Sequence, residues 1–351
     1  MFFDKKLTVW YLQNKRDLPW RKTKKPYSVW LSEIMLQQTR VSQGLQYFQR
    51  FMEAFPTVFD LANAEESTVL KFWQGLGYYS RARNLHHTAK YVAYELDGVF
   101  PSNYKDLLKL KGIGDYTASA IASICFDEPV AVVDGNVYRV LSRVFGIHTP
   151  INSVAGIKEF KSLAQRLLSR DEPANYNQAI MDFGALHCKP QNPLCENCLL
   201  SVECIAFRNR IVKELPVKEK KVKIKKRFFN FLVLNTDDGK TILEERKTKG
   251  IWQGLYQFPL VETEKIINVD ELVENASFNQ MNLEGCFISK FNKKTIIHKL
   301  SHQHLYTQFW VISINRFDQA NLKWSQILEK PVPVLIEKFI AEYRKTLVVN
   351  E

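Results

Sequence analysis

Hydrophobic positions in the first two-thirds of the chain recur with a helical period, and strands are hard to find before residue 225. Residues 2–14 predict an amphipathic helix. A polar, proline-bearing loop from Lys15 to Pro26 leads into SVWLSEIMLQQTRV, a helix for which Ser28 is the expected N-cap. Further helical runs cover 41–54, 65–74, 80–96 and 102–110, separated by breaks such as Phe55-Pro56 and Gly75-Leu76-Gly77. Past residue 225 the pattern changes. FFNFLVLN, then Asp237-Asp238-Gly239, then TILEER predicts strand, turn and strand. HLYTQFWVISI reads as another strand, and 332–345 as a closing helix. The pattern therefore predicts an all-α first domain over 1–207 and a mixed α+β second domain over 228–351.

Composition adds a boundary. The 351 residues suffice for about two domains, and 46% of them are hydrophobic, enough for real cores. No apolar run approaches the roughly 20 residues that a bilayer requires, and MFFDKKLTVWYLQNKRD has no signal-peptide core. The expectation is a cytoplasmic monomer with no membrane partner. The net charge of +12 points to a polyanionic partner. Ten basic residues stand against two acidic ones in 208–227, RNRIVKELPVKEKKVKIKKR, so this block carries most of the excess. It reads as a linker, either a solvated tether or a segment that touches phosphates.

The sharpest punctuation lies in LLKLKGIGDYTASAIASICFDEPVAVVDGNVYR, residues 107–139. Gly112 and Gly114 sit between two helices and leave amide N–H groups uncovered at a helix N-terminus, a ready anion site. Asp134 follows the apolar run Val130–Val133 and begins the next helix. A carboxylate in that position is favoured in its charged form by backbone N–H groups and the helix dipole, so its pKa is expected to be depressed. Glu33 lies mid-helix among Val29, Trp30, Ile34 and Gln37, a setting that would desolvate a carboxyl and raise its pKa. On the residues alone Glu33 also reads as a surface glutamate in a salt bridge and Asp134 as a plain N-cap. Cys188, Cys195, Cys198 and Cys204 form a C-x6-C-x2-C-x5-C run, which argues for a metal centre; thiolate chemistry leaves zinc and an iron–sulfur cube equally open.

LKGIGDYTA followed by VVDGN resembles the helix-hairpin-helix and aspartate loop of a DNA glycosylase superfamily, and the cysteine spacing is similar to that of its iron–sulfur branch. Within it, LPWR, WLSEIMLQQTRV and GLGYYSRARNLH resemble the MutY-type adenine glycosylases, from about Leu18 to Cys204, with a weaker continuation through GIWQGLYQFP and HKLSHQHL. The resemblance implies a helix-hairpin-helix glycosylase domain with an iron–sulfur module (188–204), a [4Fe-4S] cluster on the four cysteines, and a C-terminal Nudix-like domain. It also implies double-stranded DNA with adenine opposite 8-oxoguanine or guanine as the partner.

Residue roles follow from the same resemblance. Glu33 would protonate N7 of adenine and help activate water. Asp134 would face the sugar cation, with Asn136 as its supporting amide and Tyr116 as an active-site tyrosine. Bifunctional relatives carry a lysine where Tyr116 stands, so no Schiff base is expected and the enzyme should be monofunctional. Arg16, Leu18, Trp20 and Arg21 would border the flipped adenine, Gln38 and Tyr78 would enter the duplex, and Gly112 and Gly114 would present N–H groups to a phosphate. Leu300, Ser301 and His302 match the Phe-Ser/Thr-His reader of 8-oxoguanine, with Leu300 replacing the stacking phenylalanine. Lys111 stands where these families have proline. The Nudix hydrolase box is missing after both Gly250 and Gly254, so no such hydrolysis is expected. His298, His302 and His304 would otherwise suggest a metal site. Two other readings stay open: an endonuclease III-like lyase on oxidised pyrimidines, and a noncatalytic DNA-binding iron–sulfur protein.

Overall fold

A computed structural model describes residues 3–219, 224–320 and 322–348, so linker residues 220–223 lie outside the described residues. Up to Arg208 the chain forms helices: α1 (Phe3–Asn14), α2 (Pro26–Leu36), α3 (Val41–Ala54), α4 (Val58–Asn63), α5 (Glu66–Trp73), α6 (Ser80–Glu95), α7 (Tyr104–Leu107), α8 (Asp115–Phe126), α9 (Gly135–Phe145), α10 (Val154–Leu167), α11 (Pro173–Leu186) and α12 (Ile205–Arg208). Two units form, one from 1–63 and 83–220, the other from 64–82 and 221–351.

The first unit is built around α8. Thr117 to Ser123 are buried in succession, and the run TASAIAS has no side chain larger than Ile121. A helix buried all round needs small residues for its neighbours to approach, and here α2 and α11 do so. Helices α1, α9, α10 and α11 close a second part of the core through Leu7, Val140, Leu141, Phe160, Ile180 and Phe183. After α12 the chain stays bound to this unit: the buried Arg143 donates to the Leu215 carbonyl at 3.1 Å, and Ile151 N–H donates to the Val217 carbonyl at 3.0 Å.

Two local expectations are corrected. Ser28 is not the N-cap of α2. The helix opens at Pro26 with Lys25 as an extended N-cap, and Ser28 is buried inside it. Proline suits the first helical position because its missing N–H would have no partner there. The run expected over 102–110 is α-helical only at α7, which Asn103 caps by accepting from Asp106 N–H at 2.9 Å. Tighter turns then take over, with Leu110 N–H on the Leu107 carbonyl and Ile113 N–H on the Leu110 carbonyl, both at 3.1 Å.

The second unit carries β1 (Lys225–Thr236), β2 (Lys240–Thr241), β3 (Glu244–Glu245), β4 (Tyr256–Gln257), β5 (Leu260–Thr263), α13 (Val269–Val273), α14 (Ala276–Asn279), β6 (Phe287–Lys290), β7 (Ile296–Lys299), β8 (Gln303–Ile314), β9 (Leu322–Lys323) and α15 (Val334–Val348). The main sheet runs β5-β1-β8-β6, with β7 also on β8; β1 and β8 are parallel over their full lengths. Phe309 stacks on Phe339 of α15 at 4.1 Å on one face. Leu272 and Phe278 of α13 and α14 join Leu232, Trp310 and Ile312 on the other. The α+β expectation holds. The predicted strand-turn-strand does not close as a hairpin ladder, although its turn forms at Gly239 (φ +72°). β8 pairs with the whole of β1 and β5 with Phe228–Phe231, while β2 pairs with β9 and β3 with β4.

Candidate active site

Glu33 reaches the site from α2 and is 5% exposed. Burial lifts its carboxyl to about 7; Tyr116, within hydrogen-bonding reach, and the Arg21 charge pull the other way, while Asp134 adds to the rise. The raised acid expected from its neighbours is present.

Asp134 is delivered by the extended run before α9. Asn177, fully buried on α11, holds that run by accepting from Val132 N–H at 3.1 Å and donating to the Val130 carbonyl at 2.9 Å. The Asp134 carboxylate then caps α9, accepting from Asn136 N–H at 2.9 Å, Val137 N–H at 2.8 Å and the Asn136 side-chain amide at 2.7 Å. The cap geometry is as expected, but the depressed pKa is not. Burial raises the Asp134 carboxyl above its ordinary value despite those bonds and the nearby Arg139 charge. Sequence position announces the cap; it does not announce how deeply the fold buries it.

Tyr116, in the first turn of α8, donates to the Met181 sulfur at 3.3 Å. Burial together with the Glu33 and Asp134 charges drives its pKa upward, so the phenol stays neutral. Glu33, Tyr116, Asp134 and Asn136 share one cleft of about 690 Å³ whose opposite wall holds Arg16, Leu18, Trp20 and Arg21. Trp20 serves the core as well, edge-on to Phe48 at 5.0 Å.

The arginine wall depends on residues that sequence reading missed. Asp182 on α11 is fully buried and accepts from Arg16 Nε at 3.0 Å and from both terminal nitrogens of Arg21, at 2.6 and 2.9 Å. Burial alone would raise its carboxyl, but the two guanidiniums hold it below its ordinary value. Gln178, one turn earlier, accepts from Arg21 at 2.7 Å. The available signal was a polar pair four residues apart, Gln178 and Asp182, on an otherwise apolar helix face.

The hairpin glycines differ in what they require. Gly112 lies at φ +81° with the site of a Cβ 2.7 Å from Asn84 Cβ, so glycine is demanded twice. Gly114 is extended (φ −93°, ψ −179°) with open space around it. It forms the N-cap of α8 without a side-chain cap bond, leaving the first N–H groups of that helix facing outward. Gln38 lines the same recess as Gly114, Tyr116 and Asp134, and its backbone is held at φ +56°. Tyr78, 45% exposed, is likewise left-handed at φ +49°. Strain of this kind at non-glycine tips is typical of functional positions.

Cys188, Cys195, Cys198 and Cys204 line one pocket walled by Val144, Phe183 and Leu200. Leu200 N–H points to the Cys198 sulfur and Arg143 to the Cys188 sulfur, each at 3.4 Å. Burial raises the Cys198 thiol to about 11, so thiolate ligation there needs a cation to displace the proton. N–H···S donors and a buried guanidinium beside an all-thiolate set fit an anionic iron–sulfur group. Among the described residues no group of three or more His, Cys, Asp or Glu is arranged to hold a metal ion, the four cysteines included. Arg139 joins the cysteine loop to the cleft, donating to the Cys188 carbonyl at 2.8 Å, the Gly184 carbonyl at 2.6 Å and Asn136 Oδ1 at 2.7 Å. In the second unit Ser301 and His302 form the exposed tip of the β7–β8 hairpin, closed by Leu300 N–H on the Gln303 carbonyl at 2.9 Å; Leu300 is half-buried beside them.

Residues 31–166 match the family model described as HhH-GPD superfamily base excision DNA repair protein, and 230–342 match a NUDIX domain model. The chain is 34% identical over 352 residues to an adenine DNA glycosylase of Buchnera aphidicola subsp. Schizaphis graminum, covering 96% of this chain and 98% of the relative. It is 40% identical over 294 residues to that of Arabidopsis thaliana and 44% over 217 residues to that of Homo sapiens. The match spans 73% of this chain but 46% of the Arabidopsis protein, and 59% of this chain but 40% of the human one. Among solved structures, a thermostable thymine-DNA glycosylase aligns at TM-score 0.55 and 30% identity over 59% of this chain and 95% of its own. A non-covalent endonuclease III–DNA complex aligns at 0.52 over 59% and 94%, but at 21% identity it supports the fold alone.

Proposed function

The chain belongs to the adenine DNA glycosylases of the helix-hairpin-helix base-excision superfamily, and on that footing we propose that it hydrolyses the N-glycosidic bond of adenine paired with 8-oxoguanine or guanine in duplex DNA. The observation that carries the reading is the shared cleft: a buried acid whose pKa is lifted to about 7 and a helix-capping carboxylate meet where a flipped base can enter.

In this reading Glu33, half protonated near neutral pH, gives its proton to the ring nitrogen of the leaving adenine, and the neutral Tyr116 phenol orients it. Positive charge then develops on the sugar. Asp134, fixed by its cap bonds and by Asn136, meets that charge in its anionic form, and the cation itself favours ionisation of a carboxyl that burial has raised. Arg16 and Arg21, held by Asp182, shape the adenine pocket with Leu18 and Trp20. Gln38 and Tyr78 fill the gap left in the duplex, and the open N-terminus of α8 beyond Gly112 and Gly114 takes a phosphate. With Tyr116 where lyases carry lysine, the enzyme is monofunctional.

Cys188, Cys195, Cys198 and Cys204 would hold a [4Fe-4S] cluster. When bound, it would cross-link residues 188–204 through four iron–thiolate bonds. Ser301 and His302 would read the base opposite the adenine. The test incubates the protein with duplexes holding adenine opposite 8-oxoguanine, adenine opposite guanine, and an oxidised pyrimidine, then compares strand breaks with and without alkali. Breaks at adenine that require alkali are expected. Direct breaks at the pyrimidine would favour an endonuclease III-like lyase, and no breaks a noncatalytic binder. Borohydride trapping on the adenine duplex should fail.

A further inference from the structure

The basic block at 208–227 enters the second unit as β1, beside the hairpin tip that carries Ser301 and His302. Lys225 N–H donates to the His302 carbonyl at 3.2 Å, and β1 then runs parallel to β8. The register puts Lys226 opposite His304, and His304 opposite Lys299 across the β7–β8 hairpin. Residues paired directly across strands share a face, so Lys226, His304 and Lys299 form one row across three strands, roughly 10 Å wide at the usual strand spacing. The two lysines are exposed, and none of the three has a carboxylate partner among the described residues. Arg227, on the opposite face, is neutralised by Glu262 at 2.6 Å.

The next row on this face is Phe228, Tyr306 and Ile297. Phe228 stacks on Tyr306 at 5.1 Å, and Ile297 is 48% exposed. Farther along, Leu272 and Phe278 cover the face, so its open end is the end that holds the cations and the hairpin tip. Two unpaired lysines flanking an imidazole, backed by a half-exposed apolar ledge, fit a sugar–phosphate strand, lysines to phosphates and ledge to deoxyribose.

We propose that Lys226, His304 and Lys299 grip the backbone of the duplex strand whose base is read by Ser301 and His302, so that the end of the basic block is part of the DNA-binding surface. The proposal rests on the reading of the hairpin tip as a DNA contact. Phosphate contacts fix register without carrying sequence information, so this row should supply affinity while the tip supplies discrimination.

The test uses the full chain carrying the double substitution Lys226→Gln and Lys299→Gln, with Ser301→Ala and His302→Ala as a separate variant. Duplex affinity is measured against salt for adenine opposite 8-oxoguanine and opposite guanine, and thermal unfolding checks that each variant is folded. The double lysine variant should bind both duplexes several-fold more weakly, by the same factor, with the slope of log affinity against log salt smaller by about 1 per lysine. Unchanged affinity and slope would overturn the proposal, as would weaker binding at an unchanged slope. If the lysine variant behaves as expected while the Ser301/His302 variant keeps its preference between duplexes, the grip stands and the reader assignment falls. A lysine effect confined to single-stranded DNA would overturn the duplex grip.

Discussion

At the scale of single residues, the chemistry turns on two carboxyls that burial treats alike and hydrogen bonding treats differently. Glu33 takes no backbone N–H bond among those described and rises from its ordinary 4.5 to about 7. Asp134 takes bonds from Asn136 and Val137 and rises less far than burial alone would drive it. If Glu33 must be protonated and Asp134 ionised to act, the single-turnover rate of adenine release should fall as pH rises through about 7 and fall again on the acid side, where Asp134 takes up a proton; a flat profile from 6 to 9 would remove Glu33 as the acid. Replacing Glu33 with Gln should cut that rate at least roughly 100-fold while leaving duplex affinity near wild type. The same change should stabilise the protein. A carboxyl with a folded pKa above its unfolded one costs stability as pH rises from about 4.5 to about 7, and the full cost stands above that. Urea titration at pH 8 should find Glu33→Gln more stable, by up to about 3 kcal/mol.

At the scale of elements, the hairpin between α7 and α8 separates a folding requirement from a binding one. Gly112→Ala forces a left-handed alanine into Asn84 and should destabilise the fold by about 1–3 kcal/mol, read as a lower unfolding temperature. Gly114→Ala meets open space, so stability should barely change, while duplex binding weakens through crowding of the α8 N-terminus. Equal effects of the two changes on stability would contradict this division. The cysteine loop supports the same region from the other side through Arg139, which bonds to Cys188 and to Asn136. If the four cysteines hold the proposed cluster, removal of iron by a chelator should lower the unfolding temperature and slow adenine release together, with visible absorption lost in parallel.

At the scale of the whole molecule, the two candidate sites fall in different units: the first unit holds the cleft, and the second a sheet with an exposed hairpin tip at Ser301 and His302. On the proposed reading the Ser301→Ala and His302→Ala pair should shrink the preference for 8-oxoguanine over guanine while adenine release from the guanine duplex stays within about twofold, since Glu33 and Asp134 belong to the other unit. Net charge belongs to this scale as well. Much of the +12 is concentrated in one block, and the parallel pairing of β1 with β8 carries the end of that block to the tip of the β7–β8 hairpin.

Sequence by itself determined the helical and α+β halves, and it marked Glu33, Asp134, Tyr116 and the four cysteines as candidates. Each is written in local spacing: a helical period, a cap position, a motif of a few residues. Tertiary structure decided what local spacing cannot hold. Asp182 meets Arg16 and Arg21 from a helix some 160 residues away, so no window of sequence joins them. The depth at which Asp134 is buried, and hence the direction of its pKa, depends on every element packed over it. The hairpin signal after β1 gave the turn but not the ladder, since β2 pairs with the distant β9 and β3 with β4, and the row of Lys226, His304 and Lys299 exists only because β1, β8 and β7 align in one register. Hydrogen bonds and burial act through space, and only the folded chain brings those residues within their range.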